Sequence, residues 1–202
     1  SRYSGICSYD ILKLLALYLM IIDYIGMYIF PESLLFRLFG RISFPIFFFL
    51  IGYSGNFIIK FELLVIALAL FIFDIIIKNS LLPLTILFSI AAAQAFMAYS
   101  IQHGVFKKIE KTYVMFFILI LSSFPMIFLF DYGTISFMFM AMGYLVKHRP
   151  GIKRNLPFVA ITFIIYMIYQ VSLFSFTKNE IILLAALLVY LSSIMLSFDL
   201  NT

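Results

Sequence analysis

Four ionisable side chains lie in or beside the first two hydrophobic stretches of the chain, where a charge is costly. They are Lys13, Asp23, Arg37 and Arg41. An ionisable group at membrane depth usually serves binding, proton transfer or ion pairing. Asp23 follows Asp10 by thirteen residues, which corresponds to about 20 Å along a helix. It therefore needs a polar partner, and we take the four residues as candidates for a functional site.

Helical spacing groups these candidates. Arg37 and Arg41 are four residues apart and share a helix face, so that both can contact one anion or pair with Asp23 on the preceding span. Lys13 and Tyr24 are eleven residues apart, which is about 20° more than three turns and about 16 Å of helix. These two residues would line one slot across part of a bilayer.

Each candidate also has a structural explanation. Lys13 lies one turn into its span and can extend to the membrane surface. Asp23 can belong to a structural ion pair, and the two arginines can anchor a helix end at the interface. Both kinds of explanation stay open at this point.

Outside the first two spans, candidates are few. Asp131 and Tyr132 precede Gly133 at a predicted bend, where Asp131 can cap the following helix. Gln94 and Gln170 are predicted to form hydrogen bonds between helices. Neither His103 nor His148 has a second ligand at metal spacing, so no metal site is predicted. No serine elbow, phosphate loop or dinucleotide fingerprint is present.

The elements that position these side chains are hydrophobic helices. The chain has 65% hydrophobic and 11% charged residues, whereas a water-soluble domain is about half apolar and a quarter charged. Its apolar runs are continuous, as from Leu63 to Phe73, which is typical of membrane helices and not of barrel strands. We predict an all-α, polytopic transmembrane helix bundle of about eight spans, forming a single integral membrane domain over residues 1–202. The predicted spans are 10–30, 37–55, 60–78, 81–100, 112–130, 132–147, 156–174 and 180–198.

Loop cations predict the orientation, because cytoplasmic loops are enriched in Lys and Arg. With both termini in the cytoplasm, the inner segments hold most of the cations: Arg2, Lys60, Lys107, Lys108, Lys111, Lys147, Arg149, Lys153 and Arg154. The outer loops hold Lys78 and Lys178, with Arg37 and Arg41 at the start of the second span. The net charge of +5 does not indicate a nucleic-acid partner, because the basic residues lie mostly in short loops between hydrophobic segments, and the predicted partner is the lipid bilayer.

Three stretches follow a known pattern at their polar as well as their apolar positions. They are YDILKLLALYLMIIDYIGMYIFP from Tyr9 to Pro31, RLFGRISFPIFFFLIGY from Arg37 to Tyr53, and DYG from Asp131 to Gly133. Together they resemble the TraX family, over the first quarter of the chain and at one later point. TraX-like proteins are associated with N-terminal acetylation of conjugative pilin.

The TraX family in turn resembles membrane acyltransferase family 3, which moves acyl groups from a cytoplasmic donor to acceptors across the membrane. The segment from Phe44 to Tyr53 is similar to that wider family. The resemblance implies acetyl-CoA or another acyl-CoA as donor, a pilin-like protein as acceptor and the bacterial inner membrane as location.

In that wider family, a basic residue and a histidine separated by ten residues occupy the first span. Lys13 matches the basic position, and Tyr24 stands where histidine is expected. Histidine exchanges protons near neutral pH, whereas tyrosine has a pKa of about 10 and is a poor general base. Either Asp23 with Tyr24 performs a slower or different task, or this member has lost catalysis.

The first hypothesis is a membrane acyltransferase of TraX type. By the resemblance, Lys13, Arg37 and Arg41 would hold anionic parts of the acyl donor, and Asp23 with Tyr24 would orient or deprotonate an acceptor amine or hydroxyl. Transfer would be direct, since no Ser or Cys nucleophile lies beside a base. Two alternatives remain: a catalytically degenerate assembly or interaction protein on the same scaffold, and a small carrier.

Overall fold

A computed structural model describes residues 8–30, 34–78, 86–126, 133–149, 151–173 and 176–197, and these residues form helices and turns without a strand. A single 3₁₀ turn, Val105–Lys107, lies between the fifth and sixth helices. The all-α prediction is thus confirmed for this part of the chain. Its helices are α1 Ser8–Tyr28, α2 Leu34–Arg41, α3 Ser43–Ser54, α4 Phe61–Lys78, α5 Ile86–Gln102, α6 Ile109–Met126, α7 Ile135–His148, α8 Ile152–Leu173 and α9 Lys178–Ser197.

Each predicted span corresponds to helix in the structure, and the second corresponds to α2 and α3 together. Within the described residues, α8 and α9 have the length and apolar composition needed to cross a membrane. Two further apolar helical segments are shorter: Leu38–Ser54, which runs from α2 through α3, and Ile86–Gln102, which is α5. The prediction of about eight membrane crossings therefore remains a prediction for the other helices.

The outer surface of the helices is rich in large apolar side chains. Leu14 on α1, Leu121 on α6, Ile168 on α8 and Val189 on α9 are each more than 60% exposed. Contiguous apolar surface of this kind is unfavourable in water and is what lipid-facing helices present.

Helices α3 and α7 pack against each other at the centre of the molecule, and almost every residue of α7 is buried. Two glycines allow their close approach. A Cβ at Gly52 would overlap the backbone of Met140, and a Cβ at Gly143 would overlap the carbonyl of Phe49. Small residues at a helix crossing let backbones approach and gain van der Waals contact, so this pair of glycines determines how tightly the core closes.

Helix α1 packs antiparallel to α2 and α3. At its first turn the Tyr9 hydroxyl donates a hydrogen bond to the Leu50 carbonyl at 3.4 Å, near the end of α3. Farther along α1, Asp23 lies against Gly40 in α2. Helix α1 thus forms a hairpin with α2 and α3, and the two ends of this hairpin carry different candidate residues. The location of the candidate site depends on this arrangement.

Candidate functional site

Asp23 packs directly against α2. A Cβ at Gly40 would overlap both the backbone and the side chain of Asp23, so a glycine is needed for α1 and α2 to approach so closely. Arg41 is the next residue of α2, and Asp23 and Arg41 are both half-buried. The structure thus places Asp23 of α1 against Gly40, the residue next to Arg41 of α2. The sequence predicts an ion pair between Asp23 and an arginine of this helix.

The backbone at Arg41 is held by an unusual hydrogen bond. Pro45, in the first turn of α3, has no N–H to donate to the carbonyl four residues earlier, which is that of Arg41. Instead, the hydroxyl of Tyr166 on α8 donates to the Arg41 carbonyl at 2.6 Å. The hydroxyl of Ser43 donates to the neighbouring Gly40 carbonyl at 2.7 Å. The break between α2 and α3 therefore has its carbonyls satisfied by side chains.

Further polar side chains lie on either side of Tyr166 along α8. Thr162, Tyr166 and Gln170 are spaced by four residues and are fully buried, so they share the inner face of the helix. Both amide atoms of Gln170 lack a hydrogen-bond partner within the described part of the chain, although the sequence predicts an interhelical bond. We call Asp23, Arg41 and Tyr166 the Asp23 cluster, which is joined by the contact of Asp23 with Gly40 and by the Tyr166 hydrogen bond to the Arg41 carbonyl. Its α8 member, Tyr166, was missed by sequence reasoning, and the four-residue spacing of the polar residues on α8 was the available signal.

Lys13 lies at the opposite end of the hairpin from Arg41. Its Nζ is 3.9 Å from Asp10 Oδ1 and 4.1 Å from the centre of the Tyr9 ring. Half of its side chain is exposed. Ten residues of helix, or about 15 Å, separate it from Asp23, so Lys13 and Arg41 do not converge on one point.

The remaining sequence-predicted site residues are only partly described. Tyr24 lies in α1 and Arg37 in α2, but their side chains lie outside the described part of the structure. Asp131 and Tyr132 lie outside the described residues altogether. The roles assigned to these four residues therefore stay predictions.

The start of α7 differs from the expected cap. The residue directly before this helix is Thr134 and not Asp131, and the Thr134 hydroxyl donates to the Leu119 carbonyl of α6 at 2.7 Å. Gly133 is buried and has a φ of 51°, a left-handed conformation that favours glycine. The glycine of the DYG motif thus turns the chain into α7, and its neighbour attaches that turn to α6.

Two openings lie at the Lys13 end of the molecule. The first, the Gln94 cleft, has a volume of about 460 Å³ between α1, α3, α4 and α5. Gln94 itself is 9% exposed, and its Oε1 accepts no hydrogen bond from the described residues. The predicted interhelical bond stays a prediction for its Nε2 atom. The polar residues that line the cleft are Tyr9, Ser54, Asn56, Lys60, Glu62 and Gln94.

The second opening, the His148 pocket, has a volume of about 250 Å³ at the carboxyl ends of α5 and α7. Lys107, His148 and Arg149 give it a basic lining, and Phe106 and Tyr144 form an aromatic wall. Sequence reasoning placed these cations in cytoplasmic loops and did not predict a cavity among them, because a cavity depends on how helix ends pack.

Comparisons with known proteins support the family resemblance. The model of the family described as TraX protein matches residues 8–199. An uncharacterized protein of Rickettsia prowazekii (strain Madrid E) is 29% identical over 180 residues, which are 86% of this chain and 72% of that protein. No solved structure matches the chain. The family match extends from α1 to α9, whereas the pattern recognised in the sequence lies mainly in the first quarter.

Proposed function

Because the chain belongs to the TraX family, we propose that it is an integral membrane acyltransferase. It transfers an acyl group from an acyl-CoA to an amine or hydroxyl, such as the N-terminus of a pilin-like protein. Membership of the family points to a function like pilin acetylation. The observation that carries the proposal is the Asp23 cluster, a set of polar side chains packed between α1, α2 and α8 in an otherwise apolar molecule.

In the proposed reaction, the acceptor nitrogen attacks the thioester carbonyl carbon, a C–N bond forms, and the C–S bond breaks to release the CoA thiol. An ammonium must lose a proton before it can attack. Asp23, with Tyr24 one residue later, would take or orient that proton. That proton passes to solvent. The attacking nitrogen loses a second proton as the C–S bond breaks, and this second proton leaves with the thiolate, so that the enzyme returns to its starting state.

The cations would hold anionic parts of the donor. Arg41 lies beside the Asp23 contact and would stabilise the negative charge that develops on the thioester oxygen, with Arg37 one turn earlier on α2. The Tyr166 hydrogen bond to the Arg41 carbonyl supports this role because it fixes the backbone that carries the guanidinium. Lys13, at the other end of the hairpin, would contact a different part of an extended donor.

The proposed location is the bacterial inner membrane with both termini in the cytoplasm. The two helices that are long and apolar enough to cross a membrane support this location, as does the apolar outer surface. The loop cations support the orientation, since a cytoplasmic donor then meets the cationic end of the molecule.

The test is transfer of labelled acetyl from acetyl-CoA, by the full chain in lipid vesicles, to a pilin-derived peptide with a free N-terminus. We expect label on this peptide and none on the same peptide with a blocked N-terminus. Asp23→Asn should lower kcat at least a hundredfold. Glu110→Gln is the matched control, because it removes an exposed carboxylate on α6 and should retain full activity.

A second candidate function follows from Tyr24, which stands where the wider acyltransferase family has histidine. On this alternative, the chain is a degenerate member that acts in assembly. If the wild-type chain never transfers label and Tyr24→His does, the enzyme hypothesis fails for this chain and the degenerate one replaces it.

A further inference from the structure

The Gln94 cleft and the His148 pocket lie on either side of one turn at the carboxyl end of α3. Lys147 Nζ donates a hydrogen bond to the Ser54 carbonyl at 3.1 Å, and Ser54 lines the Gln94 cleft. A Cβ at Gly55 would lie 3.6 Å from the Cε1 atom of His148, which lines the other opening. The two cavities are therefore neighbours that a single elongated ligand can occupy.

The His148 pocket has the chemistry of a phosphate site. Lys107, His148 and Arg149 line it, and no carboxylate is among the described residues that do so. Arg and Lys are the usual partners of phosphate oxygens, because they donate several charge-assisted hydrogen bonds. The aromatic wall adds two adjacent rings, Phe106 and Tyr144, with centres 4.9 Å apart and planes at 47° to each other.

The orientation of the His148 ring leaves one nitrogen for a ligand. Its Nδ1 is 3.1 Å from the Tyr144 carbonyl, and the ring stacks on Tyr144 at 4.1 Å. A carbonyl only accepts hydrogen bonds, so this distance assigns the ring proton to Nδ1. Nε2 is then the ring nitrogen that is left for a ligand.

The Gln94 cleft has the chemistry of a site for an uncharged chain that contains amides. Aliphatic side chains of α3, α4 and α5 form part of its wall, among them Ile51, Leu63 and Leu87, and Lys60 and Glu62 contribute one charge of each sign. The Gln94 Oε1 atom is a buried acceptor without a donor among the described residues. A buried acceptor of this kind is costly unless it receives a hydrogen bond, and an amide N–H of a ligand would supply it.

The depths at which the Gln94 cleft and the Asp23 cluster lie along their helices are consistent with one extended ligand. Gln94 lies eight residues before the end of α5, or about 12 Å along that helix. Asp23 lies fifteen residues after the start of α1, or about 22 Å along it. Both ends are at the cationic side of the molecule, so a chain that enters there passes Gln94 before it reaches the level of Asp23.

We propose that the two cavities form the donor site. The His148 pocket binds the phosphate esters of the acyl donor, and the Gln94 cleft binds its amide-containing arm, with Gln94 Oε1 accepting an amide N–H. This inference rests on the proposed acyl transfer, and it adds Gln94, Lys107, His148 and Arg149 to the residues that recognise the donor.

Three soluble probes divide the proposed site into its parts, with the full chain held in lipid nanodiscs. Acetyl-CoA should contact both cavities, S-acetylpantetheine only the Gln94 cleft, and adenosine 3′,5′-bisphosphate only the His148 pocket. Gln94→Leu should weaken binding of acetyl-CoA and S-acetylpantetheine about tenfold, as expected for the loss of one hydrogen bond to a buried acceptor, and leave the bisphosphate unaffected. Gln94→Met keeps the length of the side chain and should behave in the same way, which guards against a folding defect in the leucine variant.

For the substitution of Arg149 we expect the converse pattern of binding. Arg149→Gln should weaken acetyl-CoA and the bisphosphate about tenfold and leave S-acetylpantetheine unaffected. Gln102→Leu and Arg154→Gln are matched controls, because both residues are exposed near the same end and line neither cavity; they should leave all three affinities within twofold.

Each contrary result removes a defined part of the proposal. Unchanged S-acetylpantetheine binding in both Gln94 variants excludes the cleft. Equal losses in Arg149→Gln and Arg154→Gln mean that a diffuse positive field, and not the pocket, attracts the phosphates. If Arg149→Gln instead abolishes a preference for phosphatidylglycerol over phosphatidylcholine vesicles without changing bisphosphate binding, the phosphate belongs to a lipid and the donor assignment is wrong.

The outcome is separable from that of the proposed function. Acetyl transfer that is unaffected by Gln94→Leu and Arg149→Gln retains the function and excludes this site. Acetyl-CoA binding that responds to both variants as expected, without any transfer by the wild-type chain, retains the site and excludes the function.

Discussion

At the scale of single residues, the carbonyl of Arg41 links two distant parts of the chain, the start of α3 and the middle of α8. Pro45 cannot donate to it, the Tyr166 hydroxyl does, and the Tyr166 ring stacks on Phe44 with centres 5.8 Å apart. One tyrosine thus replaces a missing backbone hydrogen bond and packs against the residue beside the proline. The position of the Arg41 guanidinium depends on this arrangement.

Tyr166→Phe should therefore be destabilising although it removes only one oxygen. The ring contacts are kept, but the buried Arg41 carbonyl loses its donor, which costs about 1–3 kcal/mol. The free energy of unfolding in mixed detergent micelles measures this loss. Tyr190→Phe is the control, because Tyr190 on α9 is 67% exposed; its effect should stay within about 0.5 kcal/mol. Equal stability of the two variants would contradict the role given to Tyr166.

Gln170→Leu should separate stability from activity. Gln170 is fully buried and both of its amide atoms lack partners among the described residues, so an apolar side chain should be neutral or stabilising by about 1–2 kcal/mol. Acetyl transfer should nevertheless fall if the amide serves the Asp23 cluster.

The comparison for Gln170 is Thr162→Val on the same buried face, where the native hydroxyl already donates to the Phe158 carbonyl at 2.7 Å. No gain in stability is expected there, and transfer should be retained. A Gln170→Leu variant that is less stable and fully active would show that the amide has a structural partner.

Sequence reasoning identified Asp23 and Arg41 because a charge within an apolar run is visible without a structure. It missed the contribution of Tyr166 because tyrosine is common in apolar helices and its partner is far away in the chain. It missed for a related reason that the amide of Gln170 and the Oε1 atom of Gln94 have no hydrogen-bond partner among the described residues. A buried amide is expected to bond to its neighbours, and only the packing shows which of these atoms do not.

At the scale of helices, length and hydropathy predicted where each helix lies, with ends that differ by a few residues. The break between α2 and α3 was not predicted, although Pro45 is visible in the sequence. A proline in the first turn is compatible with a helix that begins shortly before it, and that is what the chain does. The crossing of α3 and α7 was also missed, because a glycine within an apolar run does not show which helix it packs against.

Gly143→Ala should weaken this crossing. The added methyl group would overlap the Phe49 carbonyl, so the two helices must move apart and lose van der Waals contact, at a cost of about 1–3 kcal/mol. Thermal unfolding in detergent measures the effect. Ala95→Ser adds one atom on an exposed face of α5 and is the control. An unchanged transition temperature for Gly143→Ala would mean that the helices are less tightly packed than described.

At the scale of the whole molecule, the cations predict which end faces the cytoplasm, and cysteine labelling tests this. The chain has a single cysteine, so Cys7→Ser provides a background without thiols. In intact spheroplasts, an impermeant maleimide should label Lys178→Cys and leave Lys111→Cys unlabelled, since these exposed residues are predicted to lie on opposite sides.

Permeabilised cells are the control for this labelling, because both cysteines should then react. Reaction of both sites in intact spheroplasts would contradict the predicted topology, and with it the cytoplasmic location of the two cavities. The same result would not contradict the fold, since helix packing does not depend on which side of the membrane faces the cytoplasm.

The central contact between α3 and α7 also has a consequence for biosynthesis. Most of the surface of helix α3 is buried, yet α7, the partner that buries much of it, leaves the ribosome about 80 residues later. Membrane helices insert first and associate afterwards, so α3 must wait in the bilayer with its glycine face uncovered. A nascent chain that stalls before α7 is therefore an open target for quality-control proteases, and the central α3–α7 contact forms only after α7 has been made.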